Sequence, residues 1–236
     1  MLTRDDQVVA HIINQPFVHR SPVLLSWHRE FTFQLERALR DECGYKYGMV
    51  SSRSSLKRMT DHTSSGHPYW DYGRYIGQDI STWPMFDGSE TSISGNGVKS
   101  GPSCACLPSG PLKDFPVNVG PVGKNVACSN NSRDDGLAYN HRCIERLFDH
   151  EMLSNLTYDK MTTTILEYND VKSFGLYLEA WPGGIHPTPH VFVSGTQVDS
   201  TSSPGDPWFF HHHCGLDFLW QIWQVCFSIM ISSHLF

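Results

Sequence analysis

Asp206-Pro207-Trp208-Phe209-Phe210-His211-His212-His213-Cys214-Gly215-Leu216-Asp217 is the stretch from which the fold of this chain is read. Asp is a favoured helix N-cap and Pro is favoured at the first helical position, so a helix is predicted to open at Asp206-Pro207. Helical spacing then places His213, Asp217 and Trp220 on one face, while His211 and His212 point roughly 200° and 100° away. Of three consecutive histidines, His213 is therefore the one that shares a face with a carboxylate. Asp217 is placed to orient an imidazole from behind.

Working outward, a second histidine lies on a helical stripe. Residues 26–43 carry Phe31, Leu35 and Leu39 at helical spacing, and Gly44 follows as a stop. His28 falls on that same stripe and faces inward. Residues 5–15, with Val8, Val9, Ile12 and Ile13, read as another helix that carries His11. Helices are also predicted near 141–153 and 171–180. Pro182-Gly183-Gly184 is a turn signal, and the prolines of His186-Pro187-Thr188-Pro189-His190 argue against a regular helix there. Residues 46–135 are rich in Ser, Gly and Pro and read as long irregular loops with short strands. The expectation is one mainly α-helical domain, residues 1–225, with an atypical tail at 226–236.

The bulk numbers exclude some classes of function. The chain has 236 residues, 39% hydrophobic and 18% charged, with a net charge of −6 and a pI near 6.1. That balance opposes binding to a nucleic-acid backbone or an anionic membrane. The apolar run Phe218–Ile231 holds two glutamines and is too short to span a bilayer, which takes about 20 residues. Four cysteines, Cys104, Cys106, Cys128 and Cys143, fall in the loop-rich middle. With the sequons Asn130-Asn131-Ser132 and Asn155-Leu156-Thr157, they point to disulfides and an oxidising, extracellular setting, with the pairing left open. No apolar leader follows Met1, and both ends read as truncated.

The histidine count, 13, is high for this length. Two triplets emerge: His11, His19 and His28, then His186, His190 and His213. A single histidine on an apolar face is more often a hydrogen-bonded core residue than a ligand, and an i,i+4 pair also occurs in zinc sites. Six in two similar groups are much harder to attribute to chance. Imidazole suits copper, zinc, iron and nickel. Three neutral imidazoles per ion leave open positions, and two such ions facing each other suit O2. A structural zinc site would instead close four-coordinate with cysteine.

The stretch Asp5–Gln15, the eight residues between His19 and His28 with Ser26-Trp27-His28-Arg29, the run Glu36–Tyr45 and Pro68-Tyr69-Trp70-Asp71-Tyr72 resemble the first copper region of ascomycete tyrosinase-like proteins. The Asp206–Asp217 stretch is similar to the second copper region, with the pattern Asp-Pro-x-Phe, three residues, His, three residues, Asp. The resemblance to the tyrosinase and catechol oxidase family of type-3 copper proteins runs over nearly all of residues 5–225. It implies a four-helix bundle around a dinuclear site of two copper ions, and oxidation of small phenols by O2 to quinones. It implies His11, His19 and His28 as ligands of one copper and His186, His190 and His213 as ligands of the other.

Departures from the family pattern shape the activity expected. Phe17 stands where fungal members often carry a cysteine linked to the second ligand. Pro187 follows His186, where members that hydroxylate monophenols often have Asn. That Asn is thought to help a Glu-held water take the phenol proton. Glu179 is the candidate water-holding residue, although a carboxylate at a helix end is more commonly solvated. The resemblance and Pro187 together favour a catechol or o-aminophenol oxidase. The alternatives are a full tyrosinase, a non-catalytic O2-binding protein in which Phe192 plugs the site, and an inactive truncated member.

Overall fold

A computed structural model describes residues 3–46, 69–74, 76–100, 104–123 and 128–233. Its helices are α1 (Arg4–Val18), α2 (Leu24–Cys43), α3 (Tyr158–Glu167), α4 (Val171–Leu178), α5 (Pro187–Val193) and α6 (Trp208–Ser233). Short 3-10 turns and one two-stranded antiparallel ribbon, β1 (Val98–Ser100) with β2 (Cys104–Cys106), complete the described elements. The architecture is mainly α-helical with long irregular connections, as the sequence led one to expect. No described helix is long and apolar enough to cross a membrane.

Local chemistry sets the helix ends. Thr3 caps α1 in a reciprocal box with Asp6. Gly44 closes α2 at φ 69°, a left-handed conformation that glycine adopts without the Cβ penalty. Helix α5 forms despite its prolines because Pro187 and Pro189 sit in the first turn, where the missing N–H groups have no intrahelical partner anyway. The expectation of an irregular 186–190 stretch is corrected on that ground. Helix α6 starts at Trp208, whose N–H is taken by the Asp206 carboxylate at 3.0 Å, and continues unbroken across residue 225.

Two further expectations are corrected. Residues 141–149 are not helical. Arg142 pairs with Val117 and Glu145 with Cys106 as isolated bridges, and a 3-10 turn follows at His150–Asn155. The Cys106–Cys143 disulfide ties this segment beside β2, and Ile144, Glu145 and Arg146 are all buried, which an amphipathic surface helix would not allow. The second disulfide is Cys104–Cys128. Phe192 does not plug the histidines. It is fully buried, stacked on Trp70 at 5.5 Å and on Phe148 at 5.2 Å, inside the main core. Two residues beyond His190 on a helix means roughly 200° around the axis, so the two side chains diverge.

A buried ion pair locks the start of α6. Arg146 and Asp206 are both 0% exposed and meet through two bonds of 2.8 Å, Nε to Oδ2 and Nη2 to Oδ1. The remaining Arg146 nitrogen donates to the carbonyls of Ile93 and Ser94. The loop-rich middle of the chain is thereby fastened to the helix that carries His213.

Candidate metal centre

The structure brings all six predicted histidines together. His11 comes from α1, His19 is the residue that ends α1, and His28 lies on α2. Their rings are 5.0–5.6 Å apart, centroid to centroid. His186 precedes α5, His190 lies on α5 and His213 on α6, at 5.3–5.7 Å. The triplets face one another: His28 stacks on His213 at 4.3 Å and His19 on His186 at 5.5 Å.

Tautomers are set by the backbone. Nδ1 of His11 donates to Thr201 O at 2.8 Å, Nδ1 of His19 to Gln15 O at 3.2 Å and Nδ1 of His28 to Leu24 O at 2.8 Å. A carbonyl only accepts, so the proton sits on Nδ1 and Nε2 presents its lone pair inward. His190 is fixed in the same way by Gln197, through its backbone O at 3.1 Å and its Oε1 at 3.0 Å. Burial is the first cause that lowers the pKa of every one of the six, to about 3 for His11 and about 4 for His190. The imidazoles are therefore neutral, as ligands must be.

The donor set fits a metal. Nε2 of His11, His28 and His186 and both ring nitrogens of His213 are buried without a hydrogen-bond partner. Burial opposes protonation, so a cation with open coordination positions is what satisfies them. One donor atom each from His11, His19 and His28 lies within 4.8 Å of the others, as does one each from His186, His190, His212 and His213.

His212 belongs to that second group by distance but not by chemistry. Its Nε2 donates to His186 O at 3.0 Å, and its Nδ1 faces the Tyr72 hydroxyl at 2.9 Å, which also donates to the His212 carbonyl at 2.8 Å. Both nitrogens are engaged and neither is left for a metal. Between the two neighbours only His213 is uncommitted.

Three supporting residues complete the site. Phe209, fully buried, lies 5.2 Å from the His11 ring and 4.1 Å from His213, and so packs under both triplets. The expectation that Asp217 orients the His213 imidazole is corrected: both His213 ring nitrogens lack a hydrogen-bond partner, and Asp217 pairs with Arg29, which follows His28 and lies over Trp220 at 4.0 Å. The Asp217 carboxylate thus ties α6 to α2 next to His28. Glu179 is not solvated: its side chain is 8% exposed, accepts from the Arg20 N–H at 2.5 Å and stands 3.6 Å from His186 Nδ1. Burial pushes its carboxyl up to about 7 against the opposing pull of Arg20. With His186 held neutral, this is a polar contact and not an ion pair.

Sequence reasoning missed Gln197, which is fully buried. Its Oε1 accepts from His190, and its Nε2 donates to Ser203 O at 3.1 Å and Asp206 O at 3.2 Å. It ties α5 to the entry of α6. Gln197→Leu removes an acceptor behind His190 and one of two donors to each of the Ser203 and Asp206 carbonyls, which keep the N–H groups of Asp206 and Phe209. We expect metal affinity to fall by about 10–100-fold and stability by about 1 kcal/mol. Gln197→Glu keeps the acceptor and is expected to lose less affinity than Leu. Metal titration and thermal melts of the two variants check this. Equal affinity of Gln197→Leu and the unaltered chain would contradict it.

The chain has relatives among known proteins. The family model for the common central domain of tyrosinase matches residues 3–225. The tyrosinase-like protein orsC of Emericella nidulans is 30% identical over 93% of this chain and 62% of its own length. Tyrosinase P of Aspergillus terreus is 28% identical over 93% of this chain and 63% of its own length. A solved polyphenol oxidase from Thermothelomyces thermophila superposes with a TM-score of 0.76 at 30% identity, covering 95% of this chain and 60% of that one. The chain thus spans about three-fifths of the length of these relatives.

Proposed function

Since the chain belongs to the tyrosinase family, whose members are copper proteins, we propose that it is a dinuclear copper oxidase that converts o-diphenols or o-aminophenols to quinones with O2. His11, His19 and His28 would hold one copper, and His186, His190 and His213 the other. The observation that carries this reading is the facing pair of neutral histidine triplets, with their unpartnered ring nitrogens turned inward. Copper, when bound, supplies the electron-accepting capacity that links a two-electron oxidation of substrate to O2.

The chain's own residues do the rest. Backbone carbonyls and Gln197 hold the ligand rings in one tautomer, so little rearrangement accompanies metal loading. Phe209 fills the floor and keeps water out from beneath the rings. His19 and Pro187 are half-buried, and Glu179 lies beside them, so the substrate is proposed to enter along this side. There Glu179 Oε1 would hold a water near the substrate hydroxyl, on the His186 side.

Pro187 motivates the preference for diphenols. It offers no side-chain donor or acceptor to direct that water. We expect rapid O2 uptake with 4-methylcatechol and little with tyrosine or 4-methylphenol. Pro187→Asn is expected to raise the monophenol-to-diphenol rate ratio by about tenfold or more, since a directed base contributes at least that much. Fast hydroxylation of a monophenol by the unaltered protein would sink the preference. A relative 30% identical to this chain is named N-acetyl-6-hydroxytryptophan oxidase, and its name specifies a hydroxylated indole. Two disulfides and the sequons support a secreted location.

A further inference from the structure

Behind the metal centre lies a second cavity. Gly215, Phe218, Leu219 and Ile222 line it from α6, and their mean direction is roughly 180° around the helix from His213. Met161, Thr162 and Ile165 of α3 close the far side, and the segment Tyr69–Tyr72 closes one end. Its volume is about 240 Å3. Apolar cavities of about 150 Å3 hold benzene, so this one has room for one or two fused rings.

The lining specifies the occupant further. Tyr69 stacks on Phe218 at 4.7 Å and forms a flat aromatic wall. The charged member is Asp71, at the same end as Tyr158, whose hydroxyl donates to both carboxylate oxygens at 2.9 and 3.0 Å. A carboxylate has about four acceptor positions, so a single hydroxyl leaves capacity for another donor. A flat apolar slot with one acceptor at its edge is the form of a small-ligand site.

We propose that this cavity is a second aromatic-binding site, separate from the histidine centre, that takes a one- or two-ring aromatic with a hydrogen-bond donor on its edge, such as a phenol or an indole. The inference stands whether or not copper is bound. The site also touches the centre. Tyr72 is one of its walls, and its hydroxyl donates to the His212 carbonyl at 2.8 Å and lies 2.9 Å from His212 Nδ1, while His212 Nε2 donates to the carbonyl of His186. Gly215 permits this: a Cβ there would come within 2.7 Å of the Tyr72 hydroxyl.

The test uses the full chain with 13C-methyl methionine, indole as probe, and the Met161 methyl resonance assigned through Met161→Leu. Indole is expected to shift that resonance saturably. Thr162→Trp, from an exposed position at the rim, is expected to fill the space and abolish the shift while other methionine resonances stay in place. Phe218→Ala, which removes the stacked wall, is expected to weaken binding and serves if Thr162→Trp folds poorly. Benzofuran, which lacks the N–H, is expected to bind about tenfold more weakly. A Met161 methyl unmoved by indole, or moved equally in Thr162→Trp, would overturn the site. Equal binding of indole and benzofuran would overturn the role given to Asp71.

Discussion

Arg146→Met is expected to destabilise the protein by about 3–5 kcal/mol. Arg146 is fully buried, binds Asp206 through two bonds and donates to two loop carbonyls. Removing it strands a buried carboxylate and two buried carbonyls together. For a chain of this length the melting temperature is expected to fall by roughly 10 °C. Asp206→Asn in the Arg146→Met background keeps an acceptor for the Trp208 N–H and removes the stranded charge. It is expected to recover at least about 1 kcal/mol. Denaturant unfolding of the single and double variants checks both values. A loss within about 0.5 kcal/mol for Arg146→Met, the range of an ordinary surface change, would contradict the account.

The second large effect separates two adjacent histidines. His213→Ala is expected to remove one copper of two and to reduce diphenol turnover to background. His212→Ala is expected to keep the copper stoichiometry, because both ring nitrogens of His212 are already engaged by Tyr72 and His186. It costs stability instead, since the His186 carbonyl loses a buried partner, at about 1–3 kcal/mol, while the Tyr72 hydroxyl keeps the main-chain carbonyl of residue 212 at 2.8 Å. Copper per chain and melting temperature, measured on both variants, distinguish the roles. Loss of a copper in His212→Ala with the fold intact would move the ligand to the neighbouring residue.

That distinction is legible in the amino-acid sequence, because helical angles alone separate His213 from His212, and the Asp-Pro-x-Phe spacing agrees. The stripe that carries His28 and the Gly44 stop are legible for the same reason: a 3.6-residue period is local information. What escapes a local reading depends on distant partners. Residues 141–149 have local helical character but are held extended by a disulfide to Cys106 and by burial of Arg146 against Asp206. Helix α3 escapes because its run of three threonines, Thr162 to Thr164, has poor intrinsic helix propensity; packing against α6 around the cavity supplies what propensity does not. Gln197 reads as an ordinary loop residue until the fold brings His190, Ser203 and Asp206 around it. Glu179 looks like a solvated helix end until the Arg20 amide closes over it.

Two neutral histidine triplets that form one dinuclear copper site require two copper equivalents per folded chain. Metal analysis of purified, copper-saturated protein, with folding verified by near-ultraviolet circular dichroism, is predicted to give two per chain. One or none in protein that is fully folded would contradict the six-histidine centre.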